Sequence, residues 1–352
     1  MSAVADNLTL ARGKSAVVRF WAALGAAFLL FEIYVWAKWI SGPNFKPTDP
    51  GPDPISASAY DTLIVVQVIC VLAALSCVWF WIVRPWIREG HCTTDGMIAI
   101  CMTFIFFYDP SMNYLSTTLL YNSHLLNYGA WTMGSWPGWT SPNGNLLPEP
   151  ILISPTGYLF AVYGQIVFVL WLLRKFSARY PRLGVMSLIG IIVAGLTLSD
   201  TLAEIAFIRV GGVYTYPGGI RAVTVFAGDW FQFPLTEGFF FGGLGHGCTA
   251  VLQYFKNDKG QTFVESGLDA LRINKSSKQA VKFLALFGFV HASFLLVYML
   301  PNFWLSTHSD PYPMPPGGRP SYFINNMCVY GPKANECPGP GVMIPRPKNN
   351  PF

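Results

Sequence analysis

Apolar runs of bilayer length follow one another along the chain, joined by basic loops on one side and by longer, aromatic loops on the other. About 20 predominantly apolar residues suffice for a helix to cross the roughly 30 Å hydrocarbon core of a membrane. Spans can be drawn over Ala16–Ile40, Thr62–Val83, Gly96–Phe107, Tyr158–Leu173, Leu183–Ile208, Phe231–Phe255 and Val281–Leu300. The third is short, with room to extend towards Leu115. Strands of a membrane barrel would alternate apolar and polar at every second residue, and these runs do not. The expected fold is therefore all-α: a polytopic bundle of about seven transmembrane helices over residues 16–300, after a short segment 1–15 and before a Pro/Gly-rich tail 301–352. The first run is too long for a cleavable signal peptide, and no small-residue cleavage site follows before Gly42-Pro43-Asn44, so it is expected to persist as a helix.

Charge orients the bundle. One side collects Arg12 and Lys14, then Arg84 and Arg88, then Arg174, Lys175, Arg179 and Arg182, and finally Lys256, Lys259, Arg272, Lys275, Lys278 and Lys282. The other side holds loop 41–59 with Lys46, loop 108–155 with no Lys or Arg, and loop 209–230 with Arg209 and Arg221. The positive-inside rule then puts the N-terminus in the cytoplasm and the tail outside. Only 12% of residues are charged, against roughly a quarter in a soluble domain. The net charge of +5 is spread over loops and does not point to nucleic acid. The expected partners are membrane lipid and a lipophilic small molecule.

Against that apolar background, Asp200, Glu204, Glu237, His246 and His291 stand out. An ionisable group at membrane depth is costly unless paired or neutralised, so it marks a functional interior by default. Asp200 and Glu204 lie four apart and share a helical face. Two carboxyls that close in a low dielectric do not both ionise cheaply, and a protonated acid beside a carboxylate is equipment for acid–base chemistry. The plainer alternative is a structural pair satisfied by Arg209 or Arg221. Pro234 opens the helix near Glu237, placing a third carboxyl at similar depth. Asp109, before Pro110, either caps a turn or adds a fourth acid. His246, in Gly242-Gly243-Leu244-Gly245-His246-Gly247, and His291 reach comparable depth, and each reads as a polar contact to substrate or as a hydrogen-bonded core histidine. Taken as a pair, they also leave a b-type haem open. His124, Asn127 and Trp131 in loop 108–155 are candidate substrate contacts, weighed against loop hydrogen bonding and interfacial anchoring.

Other signals narrow the chemistry. HExxH, GxSxG, Walker and GxGxxG patterns are missing, which disfavours zinc proteolysis, ATP-driven transport and nucleotide-dependent redox. The seven cysteines show no zinc spacing. Cys70, Cys77, Cys101 and Cys248 fall in apolar runs, while Cys328 and Cys337 would pair if the tail faces an oxidising compartment. No internal repeat is visible, which lowers the odds of inverted-repeat transporters.

The layout of spans, together with Phe107-Tyr108-Asp109-Pro110-Ser111-Met112-Asn113-Tyr114 and Ser123-His124-Leu125-Leu126-Asn127-Tyr128-Gly129-Ala130-Trp131, resembles the AveC family. That resemblance implies a membrane-bound spirocyclase and dehydratase of secondary metabolism, acting on a polyketide- or lipid-like substrate in the plasma membrane of an actinomycete. It implies no metal or redox cofactor, since ketal formation and dehydration need only an acid, a base and a shaped cavity. On this reading Asp200, Glu204, Glu237 and Asp109 are catalytic and no cofactor is needed. A binder or proton-coupled transporter of lipophilic molecules, or a subunit of a membrane complex, stays open beside it.

Overall fold

The computed structural model describes residues 2–311, 320–323 and 341–344. Helix α1 is Ser2–Ile40, and α2 runs over Ala57–Glu89. Helix α3, Thr94–Phe104, continues as a 3-10 segment over Ile105–Asn113. Then come α4 (Ser154–Arg179), α5 (Val185–Arg209), α6 (residues 235–254) and α7 (Lys275–Ser306). Side-chain caps set several starts: Ser56 accepts from the Ala59 N–H, Thr93 from Gly96 and Asn274 from Ser277. Gly90, at φ +69°, closes α2 in the left-handed conformation that glycine adopts without strain.

Among the described residues, five helices are long and apolar enough to cross a membrane: α2, α4, α5, α7 and the Ser15–Ile40 part of α1. Their outward faces carry Leu30, Ile69, Leu72, Trp171, Leu198, Leu202 and Leu296, all exposed, as a lipid-facing belt requires. The protein is an integral membrane protein. The other two expected spans differ from this pattern. Pro110 has no N–H and disfavours α geometry at Asp109, so α3 stops at eleven residues and tightens into the 3-10 segment. Helix α6 starts only at Leu235, after Phe233–Pro234 pair as a strand, and Glu237, His246, Gln253 and its glycines make it too polar to meet the same measure.

Two glycine contacts set the packing. Helices α1 and α7 touch backbone to backbone where Gly25 meets Gly288; a Cβ at Gly288 would stand 2.7 Å from the Gly25 nitrogen. Helices α5 and α6 meet where Gly238 and Gly242, four apart, lie on Thr201 and Asp200. This is the small-xxx-small approach that membrane helices use in place of a hydrophobic drive. Four helices also contain a π-helical turn, at Val78–Val83, Tyr158–Val162, Gly238–His246 and Leu295–Met299. Such turns widen a helix and re-aim its side chains, often at functional sites.

The non-basic end of the bundle is capped by loops. Three two-residue antiparallel ladders tie them together: β1 (Leu120–Tyr121) with β2 (Tyr214–Thr215), β3 (Gly218–Gly219) with β6 (Asp310–Pro311), and β4 (Thr224–Val225) with β5 (Phe233–Pro234). The described tail residues lie on the same cap: Ser321 exchanges hydrogen bonds with Asp53, and Ser123 donates to the Tyr322 carbonyl. Cys328 and Cys337 lie outside the described residues. Replacing Gly288 by Leu should force α1 and α7 apart. Overpacking of this kind costs roughly 1–3 kcal/mol, visible as a lower thermal midpoint in detergent. Gly190→Ala, whose new methyl meets nothing within 4 Å, should leave that midpoint unchanged.

Candidate active site

The cavity beneath the cap is built from one side chain after another with a carboxyl or phenol at its end. Asp109 reaches it from the 3-10 segment after α3, Tyr158 from the π turn of α4, and Asp200 and Glu204 from successive turns of α5. Tyr121 and Tyr214 come down from the β1–β2 ladder, whose register sets them opposite each other, and Tyr216 from just beyond β2. Phe241 and Tyr298 close it from the π turns of α6 and α7. Three of the four π turns among the described residues thus supply its wall. The cavity is partly open and measures about 90 Å³.

Each carboxyl but one is answered by a tyrosine hydroxyl. Tyr158 donates to Asp109 Oδ1 at 2.6 Å and Tyr121 to Oδ2 at 3.0 Å. Tyr216 donates to Glu204 Oε2 at 2.8 Å, with the Tyr214 hydroxyl facing the same group. Tyr298 donates to Glu237 Oε2 at 2.9 Å, so Glu237 sits one layer behind the wall. Asp200 is the exception. It is 1% exposed, presses on Gly242 and has Gln165 beside it, yet its Oδ2 has no hydrogen-bond partner. Glu204 keeps partial exposure because it lines the cavity. Burial, reinforced by the neighbouring carboxyls, pushes the Tyr121, Tyr214 and Tyr216 hydroxyls well above the usual range, which keeps them donors.

No Lys or Arg among the described residues forms an ion pair with these acids. Arg209 instead lies over the rings of Phe231 and Phe226, and the Arg221 backbone N–H bonds Asp310. The structural alternative for Asp200 and Glu204, satisfaction by those arginines, is not what the packing provides.

The model of a protein family described as spirocyclase AveC-like matches residues 89–322. The chain belongs to this family. No curated protein and no solved structure matches it. The matched stretch holds Asp109, Asp200, Glu204 and Glu237 and both motifs around Asp109 and His124.

The remaining candidates are dispersed. His246 is fully buried, with neither ring nitrogen partnered, and packs edge-on against Phe241 at 4.3 Å between centroids. His291 belongs to a separate polar knot: its Nδ1 lies 2.8 Å from Glu32 Oε1 and 3.1 Å from the Tyr108 hydroxyl, and Phe287 stacks on its ring. The two histidines therefore go to different partners. Asn127 is a loop staple. Its Oδ1 accepts from the Thr48 and Gly129 N–H groups, and its Nδ2 donates to the Ser123 and Leu125 carbonyls. Trp131 is buried in an aromatic cluster and donates to the Phe107 carbonyl at 2.8 Å. His124 lies in the cap between Tyr60 and Tyr322, away from the cavity lining.

Sequence reasoning passes over Glu32, Glu149 and the tyrosines. Glu32 meets the membrane-depth criterion that singles out Asp200, since it lies mid-run in Phe31-Glu32-Ile33. Glu149 gives no such signal, because it falls in a loop whose burial only the cap creates. Tyrosines near span ends look like interfacial anchors until their hydroxyls are seen on carboxyls.

Two outcomes test this arrangement. Burial, then the Asp109 carboxyl, pushes the Glu149 carboxyl well above its usual range. Against an unfolded value of about 4.3, the stability it contributes is complete at lower pH and is lost as pH climbs towards the folded value. Glu149→Gln should accordingly flatten the decline of the thermal midpoint between about pH 5 and pH 8. Separately, His291→Leu leaves Glu32 buried without its closest partner and should cost roughly 1–3 kcal/mol, the penalty of a buried polar group that loses its hydrogen bond. The double variant Glu32→Leu/His291→Leu should recover part of that loss in a detergent unfolding cycle.

Proposed function

We propose that the protein is a membrane-bound cyclase and dehydratase that works by acid–base catalysis on a lipophilic polyketide- or lipid-like substrate. The observation that carries this reading is Asp200 with an unpartnered Oδ2, one turn from Glu204, at the wall of a cavity ringed by tyrosine hydroxyls. Family membership points the same way.

The chemistry follows from the donors present. A ketone bearing two hydroxyls closes to a hemiketal. A protonated carboxyl gives its proton to the hemiketal hydroxyl, the C–O bond breaks, and water leaves an oxocarbenium ion. The second hydroxyl adds to that carbon, and its proton passes to the carboxylate just formed. The net change is loss of one water, with acid and base restored. Asp200 and Glu204 are the proton-transfer pair; Asp109, tied to two tyrosines, lines the cavity beside them, and Glu237, tied to Tyr298, backs its wall. Because the cavity is smaller than the roughly 300 Å³ of a site for a whole drug-sized ligand, it takes the reacting ring, and the rest of the substrate extends through its open side towards lipid.

The seven-span topology, with the N-terminus in the cytoplasm of a bacterial cell, belongs to the same proposal. It is supported by the gathering of Arg88, Arg174, Lys256, Lys259, Lys275, Lys278 and Lys282 around one cleft at the end opposite the cap. A proton-coupled binder of lipophilic molecules is the second reading, favoured by the mutual closeness of the buried acids. The deciding assay offers the purified protein in lipid nanodiscs an alkyl-tailed dihydroxyketone and follows loss of water by mass spectrometry. Asp200→Asn and Glu204→Gln should each lower turnover by about 10²–10⁴-fold while the protein still folds. Near-normal turnover in both would refute the assignment, and uptake without product would favour the binder.

A further inference from the structure

The cavity has a charge character that the cyclase reading does not by itself require. Asp109, Asp200, Glu204 and Glu237 converge on it or stand directly behind it, and no Lys or Arg among the described residues answers them. An anion would meet carboxyls and tyrosine hydroxyls already committed to them, and an enolate or oxyanion would find no cationic partner. A cation would find the reverse. The walls add the faces and edges of Phe241 and the tyrosines, which attract organic cations.

The hydrogen-bond pattern narrows the kind of cation. Both oxygens of Asp109, and one each of Glu204 and Glu237, are already occupied by tyrosine hydroxyls. Asp200 Oδ2 alone among these carboxyl oxygens is both fully buried and without a partner. A hard metal ion asks for about six oxygens at once, and no three His, Cys, Asp or Glu among the described residues converge as ligands. One carboxylate oxygen left without a partner, on a side chain that lines an aromatic-walled cavity, suits an ammonium or an oxocarbenium-like ring better.

We propose that this cavity is a selective site for a lipophilic organic cation the size of one six-membered ring, with Asp200 as its counter-ion. The inference rests on the cyclase reading for its meaning, since an oxocarbenium ion is such a cation, but its test does not need turnover. The saturated ammonium ring is then an imitation of the charged intermediate, and a stable amine of that shape occupies the site without reacting.

The probes are an N-alkylpiperidine, protonated at pH 7, and the alkylcyclohexane of equal tail length, offered to the protein in nanodiscs of zwitterionic lipid. The wild-type protein should bind the piperidinium roughly tenfold more tightly than the neutral ring, after subtraction of partition into empty nanodiscs. Asp200→Asn, nearly isosteric, should abolish the preference. Equal affinity for the two rings in the wild-type protein overturns the proposal, whatever the variant does. A preference that survives in a folded Asp200→Asn protein overturns the assignment of the counter-ion. Dihydroxyketone turnover measured on the same preparation separates the two ideas: turnover without cation preference removes this inference alone, and cation preference without turnover removes the cyclase reading while the site stands.

Discussion

A carboxyl group enclosed among membrane helices has no water to fall back on, and the arrangement of this protein follows from how each one is satisfied. Tyrosine hydroxyls carry most of that duty. They donate to Asp109, Glu204 and Glu237 without bringing in a compensating charge. An arginine in their place would add a charge that the phenols do not. Asp200 keeps one oxygen outside this arrangement, buried and without a partner.

Close helix approach makes this possible. Gly238 and Gly242 let α6 settle on α5, so that Asp200 is walled in by backbone on one side and faces the cavity on the other. The Gly25–Gly288 crossing does the same for α1 and α7, and two turns along α1 it delivers Glu32 to His291. Tyr108 joins that knot while the next residue, Asp109, points into the cavity. Two buried polar systems are thus tied through neighbouring residues of one 3-10 segment, held further by the Trp131 bond to the Phe107 carbonyl.

The cap completes the site. Tyr121, Tyr214 and Tyr216 reach the acids only because the β1–β2 ladder holds loop 114–153 against loop 210–234. Asn127 and the aromatic cluster around Trp131 keep the first of these loops in place. In the structure this tryptophan-rich loop is a framework that presents Tyr121 to the cavity.

The sequence by itself determined that this is a helical membrane protein, roughly where its helices lie, and that Asp200, Glu204 and Glu237 belong at one end of the bundle. Those features follow from composition, run length and the cost of burying charge, which are local properties of the chain; the family showed in the stretches around Asp109 and His124. Tertiary structure decided the rest. It gave His291 to Glu32, left His246 against Phe241 without a polar partner, bound Asn127 and Trp131 into the loop framework, brought five tyrosines to the cavity and buried Glu149. Partnership between side chains far apart in sequence is set by helix crossings and ladder register. The π turns at Tyr158, Phe241 and Tyr298 break the 3.6-residue period on which any reading of helical faces depends.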